Sequence, residues 1–347
     1  MEQQPAFSAV STSIRQLHHI LRSISFAPKA EVRISKDGIR FCVDEARVIQ
    51  GITFLDKSLF TSYDFNEEEL TELPPFEVSM PAILETLQIF GLSEVSARRE
   101  GGGFSSSATN AFTTPALALA GSCRLSYAAD GAPLSITIIE GPTTTTAELN
   151  TYSVNTEYSD DGMIPLDRDS LYLKTIMPSS ILSDAISELS GTNPDVLLLN
   201  VSATSAPLLS FEGQGGPLGD VVVDYLVEAK NEPGLPSKKK QPSVTETFAV
   251  KTGEGTPARI KTRYKFDLIK KAGRAMQLAN KVSLRQDSQG VLSLQFLVDT
   301  SRGFSGSTQA VGRSEPLFID FRFLPLVDED SEDDASDEAD DDENSEL

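Results

Sequence analysis

The chain has 347 residues, with 30 Lys+Arg against 51 Asp+Glu and a formal net charge of −21. That length suits two domains of ordinary size, about 100–200 residues each, and a 39% hydrophobic content excludes a chain disordered throughout. Thirteen of the acids fall between Asp328 and Glu346, where there is no base; taking them from 51 leaves 38 acids against 30 bases, so the body excludes a uniformly basic protein but not a local cationic face.

No stretch approaches the 18 or more apolar residues of a membrane span, so no membrane partner is expected. The start, MEQQPAFSAV, lacks the basic and apolar regions of a secretory signal, so an intracellular location is expected. Cys42 and Cys123 are the only thiols and read as reduced core residues. The only histidines, His18 and His19, are sequence neighbours that point in different directions on a helix, which disfavours a tetrahedral zinc site.

Along the chain, the first helical spacing is Ile14, Leu17, Leu21 and Ile24, behind the Ser11/Thr12/Ser13 cap cluster. Two alternating segments follow, Glu31–Ser35 and Ile39–Val43, around a Lys36-Asp37-Gly38 turn. A second helix starts at Pro81 with Ile83, Leu84, Leu87 and Phe90 and stops at Gly91. After a Gly- and Ser-rich loop at Gly101–Ser107 comes a second hairpin, Ser122–Tyr127 and Leu134–Ile138 around Asp130-Gly131. The polar, turn-rich stretch Val154–Arg168 reads as a connector between domains 1–153 and 169–326. A third helix begins at Pro178–Ser179 with Ile181, Leu182, Ala185, Ile186 and Leu189 and stops at Gly191. Its hairpin is Val196–Val201 and Leu208–Phe211, followed by a loop at Glu228–Ser243. The fourth helix is expected from about Leu268 to Ala279, with Leu268, Ala272, Ala275 and Ala279 on its buried side. The hairpin Lys281–Arg285 and Val291–Phe296 around an Asp287-Ser-Gln-Gly290 turn and a loop at Ser301–Ser314 complete the body, and residues 327–347 form an acidic tail expected to be disordered. One unit, a helix followed by a hairpin, thus appears four times, two per domain.

Catalytic signatures are missing. Asp37, Asp44–Glu45, Asp160–Asp161, Asp167, Asp169 and Asp195 sit in turn or linker contexts, where Asp bonds the local backbone. There is no Gly-x-Ser-x-Gly elbow and no GxxxxGK[ST] phosphate loop. No enzyme and no cofactor is expected. Two helices instead carry bases opposite their apolar positions: Arg15, His18/His19 and Arg22 on the first, and Lys270, Arg274, Gln277 and Lys281 on the fourth, with Lys271 beside them. Such stripes are either solvated helix faces or sequence-independent contacts to a polyanion. The middle helices show Glu85, Gln88, Asp184, Ser187 and Glu188 instead. Exposed aromatics do not interleave with the bases, which disfavours a single-strand channel.

Three passages resemble the PCNA-like sliding clamps, and within them the Rad-one subunits of the heterotrimeric checkpoint clamp, the nine-one-one clamp. They are Asp37–Arg40 through Asp44–Gln50, Leu87–Gly91, and Tyr264–Phe266 through Lys281–Arg285 and Gly290–Phe296. With the repeat, the resemblance covers about residues 6–326; the loops at Gly101–Pro115 and Glu228–Pro257 and the tail depart from it. It implies an α+β clamp fold of two similar domains, each with two helices packed on antiparallel sheets. It also implies a ring of three different subunits around double-stranded DNA, with Rad-nine-like and Hus-one-like partners, in the nucleus. An ATP-driven clamp loader would place it at damaged DNA, where it recruits checkpoint and repair proteins.

On that pattern Arg15, His19, Arg22, Lys270, Lys271, Arg274 and Lys281 would face DNA. Edge strands near Ala147–Ser153 and Leu218–Leu226, with Leu149, Tyr152, Val221, Val222, Val223 and Tyr225, would meet the neighbouring subunits. The competing readings are a 3′–5′ exonuclease, a homotrimeric replication clamp and an acidic-tailed histone chaperone.

Overall fold

The computed structural model describes residues 4–12, 14–66, 71–88, 122–140, 142–154, 162–227, 244–251, 258–299 and 316–327. The end of the second helix at Ile89–Gly91, the loop at 101–115, residues 155–161 of the connector, most of the loops at 228–257 and 301–314, and the acidic tail lie outside them.

Four units in succession share one order, a strand, a helix and then further strands. The first is β1 (Phe7–Ser11), α1 (Ile14–Ser23), β2 (Lys29–Ser35), β3 (Gly38–Glu45), β4 (Ile49–Asp56) and β5 (Ser62–Phe65). The second is β6 (Phe76–Ser79), α2 (80–88), β7 (Ser122–Tyr127), β8 (Leu134–Glu140), β9 (Thr143–Leu149) and β10 (Thr151–Ser153). The third is β11 (Leu171–Pro178), α3 (Ser179–Ser190), β12 (Val196–Ser202), β13 (Leu209–Gln214), β14 (Val221–Tyr225) and β15 (Thr247–Val250). The fourth is β16 (Arg259–Lys265), α4 (Phe266–Lys270), α5 (Gly273–Leu278), β17 (Lys281–Asp287), β18 (Leu292–Val298) and β19 (Leu317–Phe323).

The pairings are antiparallel and build three sheets, β5-β1-β7-β8-β9, β14-β13-β12-β16, and the ten-stranded β10-β6-β2-β3-β4-β19-β18-β17-β11-β15. Sister units exchange their leading strands. β1 lies against β7 of the second unit, and β6 returns to β2 of the first. In the other half β11 joins β17, and β16 joins β12. The halves then meet edge to edge in the ten-stranded sheet, with Thr53 of β4 opposite Ile319 of β19 and Ile49 opposite Phe323. Local periodicity shows each hairpin but not which leading strand covers it, so this exchange is not visible in the sequence.

Alternation decides which face of each strand is buried. In β3, Phe41 and Val43 are buried, and in β19 Ile319, Phe321 and Phe323 are buried. Helix α1 buries Ile14, Leu17 and Leu21 as the spacing predicts, and Ile20 and Ser23 as well, while Ile24 is buried just past its end. In α3 the buried set Leu182, Ala185, Ile186 and Leu189 follows the expected periodicity. Gly191 does end α3, yet in right-handed backbone at φ −62. The left-handed residue is Asn193, at φ 49, a residue type that tolerates that region.

The fourth helix departs from expectation. Instead of one helix from Leu268 to Ala279 there are two short ones, joined where Lys271 and Ala272 donate their N–H groups three residues back, to Leu268 and Ile269. Phe266, Ile269, Ala272 and Ala275 are buried at intervals of three, with Met276 buried beside the last of them, while Leu268 and Ala279 are only half-buried. Winding tighter than 3.6 residues per turn keeps such a row on one line, and that favours the local 3₁₀ turn.

Candidate nucleic-acid interface

Helix α5 packs against both α1 and α3, so helices of the two halves form one layer. Apolar spacing in α1 leaves Arg15, His18 and His19 half-buried and Arg22 exposed on the outer side. On α4 and α5, Lys270, Arg274 and Gln277 are exposed. Glu85 and Gln88 of α2 and Ser180, Asp184, Ser187 and Glu188 of α3 are exposed, and none of them is a base. Positive charge therefore gathers where α1 meets α5. The junction is built by Arg274, whose Nη1 donates to the Arg22 carbonyl at 3.4 Å and to Ser25 Oγ at 3.2 Å. A guanidinium at the last turn of α1 also meets the negative end of the helix dipole.

The stripe expected across Lys270, Arg274, Gln277 and Lys281 is not one helical face. Lys281 begins β17, past the end of α5, and its ammonium lies 2.8 Å from Glu246. Lys271 is half-buried and donates to Glu45 of β3 at 2.6 Å, tying the second half to the first. Lys270 sits 2.6 Å from Asp267 one turn earlier, and that ammonium holds the Asp267 carboxyl below the usual carboxylate range. Spacing on a helix cannot show such pairings, because Glu45 and Glu246 arrive from distant strands.

Burial, and then the charges of His19 and Arg22, lower the pKa of His18 below the ordinary imidazole value, and burial, Arg15 and Arg22 do the same for His19. Both rings are accordingly neutral near pH 7. A group depressed in the folded state contributes stability above its unfolded pKa, and that contribution is lost as pH falls through the folded value. Acidification from about pH 7.5 to about pH 5.5 is expected to lower the melting temperature, and less so in a His18→Gln/His19→Gln variant. Equal losses in the two proteins, followed by circular dichroism, would count against this assignment.

Residues proposed from the sequence for subunit contact lie on sheet margins. β9 closes the five-stranded sheet and β14 closes the four-stranded one. The stretch expected as a single edge near Ala147–Ser153 is divided, because the chain changes sheets at Asn150 and β10 pairs with β6 in the ten-stranded sheet. Tyr152, at 49% exposure, and Val222, at 51%, face outward. Leu149, Val221 and Val223 are half-buried against the core, and the buried Tyr225 donates its hydroxyl to the Ile181 carbonyl at 3.3 Å.

The described part of the connector is pinned across the ten-stranded sheet by side chains that local spacing does not link to it. Gln50 Nε2 donates to the Gly162 carbonyl at 2.6 Å, and its Oε1 accepts from Ile164 N at 2.6 Å. Arg322 Nη1 donates to the Ile164 carbonyl, and Asp287 Oδ2 accepts from Asp167 N at 3.1 Å. Gln50 alternates with Gly51, whose backbone faces Phe26, so the connector crosses the face turned away from α1. A polar residue inside a strand was the available signal.

Among the described residues no three His, Cys, Asp or Glu side chains gather closely enough to hold a metal ion, and no helix is long and apolar enough to cross a membrane. Cys42 and Cys123 are free thiols. Burial pushes both up to about 12, with Glu31 and Asp44 adding to the effect at Cys42, so both are poor nucleophiles near neutral pH.

The family model for repair protein Rad1/Rec1/Rad17 matches residues 6–298. The chain belongs to the Rad1 family. It is 28% identical to the DNA damage checkpoint control protein rad1 of Schizosaccharomyces pombe over 335 residues, which cover 94% of this chain and 89% of the relative. It is 26% identical to the human cell cycle checkpoint protein RAD1 over 302 residues, 87% of this chain and 89% of that one. Among solved structures, PCNA from Thermococcus kodakaraensis superposes with a TM-score of 0.59 at 15% identity, covering 92% of this chain and 100% of the other. The PCNA2–PCNA3 complex of Sulfolobus tokodaii gives 0.57 at 12%, with 92% and 98% covered. This Rad1-family chain therefore has the α+β sliding-clamp fold, as its sequence led one to expect.

Proposed function

We propose that the chain is a non-catalytic subunit of a heterotrimeric checkpoint ring that encircles double-stranded DNA and recruits signalling and repair proteins in the nucleus. The observation that carries this reading is the helix layer of α1, α5 and α3, whose exposed cations gather at the seam between two sister halves. Membership of a family whose relatives are named as checkpoint proteins supports the checkpoint role. A ring retains DNA by topology, so a few sequence-blind cations suffice to guide phosphates past the wall.

Arg15, Arg22 and Arg274 are the side chains we assign to phosphates, with Lys270 shared between phosphate and Asp267. Lys271 and Lys281, already held by carboxylates, contribute less. Ring closure would use β9 and β14, which end their sheets among the described residues and differ in composition, TTTTAEL and VVVDY. Unlike edges fit head-to-tail contacts between different subunits.

Mass spectrometry of the native complex is expected to find this chain with two partners of similar size, one to one to one. A stable trimer of this chain alone would defeat the heterotrimeric reading. Within the loaded ring, replacing Arg15, Arg22 and Arg274 by Ala is expected to reduce the slope of log affinity for linear duplex against log salt by about 2–3, near 0.9 for each phosphate contact. An unchanged slope would remove these residues from the DNA path.

A further inference from the structure

Strand β16, Arg259–Lys265, borders the four-stranded sheet and, among the described residues, pairs with another strand, β12, on one side only. Its inward residues Ile260 and Tyr264 are buried, whereas Lys261, Arg263 and Lys265 alternate with them on the exposed face. Residues two apart on a strand are roughly 6.6 Å apart, so three cations line about 13 Å of a sheet margin.

The chain's exit from β19 runs to this margin. Leu324 N donates to the Val48 carbonyl at 3.0 Å, and Leu326 N donates to the Arg263 carbonyl at 2.8 Å on the side of β16 that β12 leaves open. The turn at Gly290 holds the same segment from the other side. Tyr264 donates its hydroxyl to the Gly290 carbonyl at 2.7 Å, and a Cβ at Gly290 would lie 3.1 Å from the Pro325 ring. Val327, 86% exposed, is the last described residue, and Asp328 opens the 20-residue stretch with 13 acids.

We infer that the acidic segment 328–347 docks on the exposed cationic row of β16, with Lys261, Arg263 and Lys265 as its receptor. Leu326 stands beside Arg263. Two residues further, Asp328 comes opposite Lys261 if the segment runs antiparallel to β16, or Lys265 if it runs parallel. Either direction brings acid to base. The pairs are exposed and individually weak, so the contact is multivalent and sensitive to salt. Bound in this way, the segment shields a cationic margin away from the helix layer and keeps polyanions off it.

Carbodiimide coupling of the full-length chain, read by peptide mass spectrometry, tests the inference. Amide links from the 328–347 carboxylates to Lys261 and Lys265 are expected in several-fold excess over links to Lys29 and Lys57, whose side chains are each 54% exposed. The excess should vanish near 1 M NaCl, where the screening length is about 3 Å. Arg263→Glu keeps both acceptor lysines and should reduce the links several-fold while the circular dichroism spectrum is retained. Links spread evenly over all four lysines, indifference to Arg263→Glu, or links formed only between isotopically distinct copies would each overturn the proposal. None of these readouts depends on ring assembly or DNA.

Discussion

Replacing Phe321 by Ala is expected to destabilise the fold by about 3–5 kcal/mol, the range for deleting a buried aromatic ring. Phe321 is fully buried on β19, between Phe26 (centroids 5.8 Å apart), Phe296 (6.0 Å) and Phe323 (6.3 Å). Across the strand pair its partner is Gly51, and a Cβ there would fall 2.7 Å from Phe26 Cε1. Nothing opposite can fill the space left by the ring, so the cavity persists and the full cost is felt. Because β4 and β19 are the pairing that joins the halves within the ten-stranded sheet, the loss should also split a single unfolding transition into two. Urea unfolding followed by circular dichroism measures both effects. A loss under about 1 kcal/mol would show that the seam is held elsewhere.

Asp287→Ala should cost on the order of 2–5 kcal/mol through a different mechanism, buried donors left without an acceptor. One carboxylate oxygen closes the β17–β18 turn by accepting from Gln289 N at 3.0 Å and Val291 N at 2.9 Å, while the other holds Asp167 N of the connector. Asn separates these roles. It can keep the acceptor in the turn but presents an NH₂ group to the Asp167 N–H, where two donors repel. Asp287→Asn should therefore leave most of the stability in place and speed hydrogen exchange at residues 164–169. Fast exchange in neither variant would mean that Gln50 and Arg322 suffice to hold the connector.

These two residues show how far the sequence could be read. The four helix-and-hairpin units were legible because period and turn chemistry are local: Gly131 and Gly290 take φ 76 and 84, as their turns require. Asp287 was legible as a turn residue for the same reason. Its second bond, to a backbone N–H 120 positions away, was not. The cations on α1 could be placed from spacing alone, but Lys271 and Lys281 could not, since their carboxylate partners lie on other strands. On the fourth helix Ala272 and Ala275 are buried as a 3.6 period predicts, whereas Leu268 and Ala279 are only half-buried and Phe266 and Ile269 are buried in their place, because the chain winds more tightly between the two short helices. Sheet margins followed from composition at Val221–Tyr225, whereas the change of sheets at Asn150 depends on which strand β6 leaves open.

The exchange of leading strands between sister units bears on how such a chain is made. As it emerges during synthesis, β1 brings out Phe7 and Ala9 long before Tyr127 and Leu125 exist to cover them. Contacts this distant in sequence make for slow, late closure and a period in which an apolar strand is open to wrong associations. A single repeat cannot be excised as an autonomous module, nor can a nascent half mature until its second helix and hairpin have been translated.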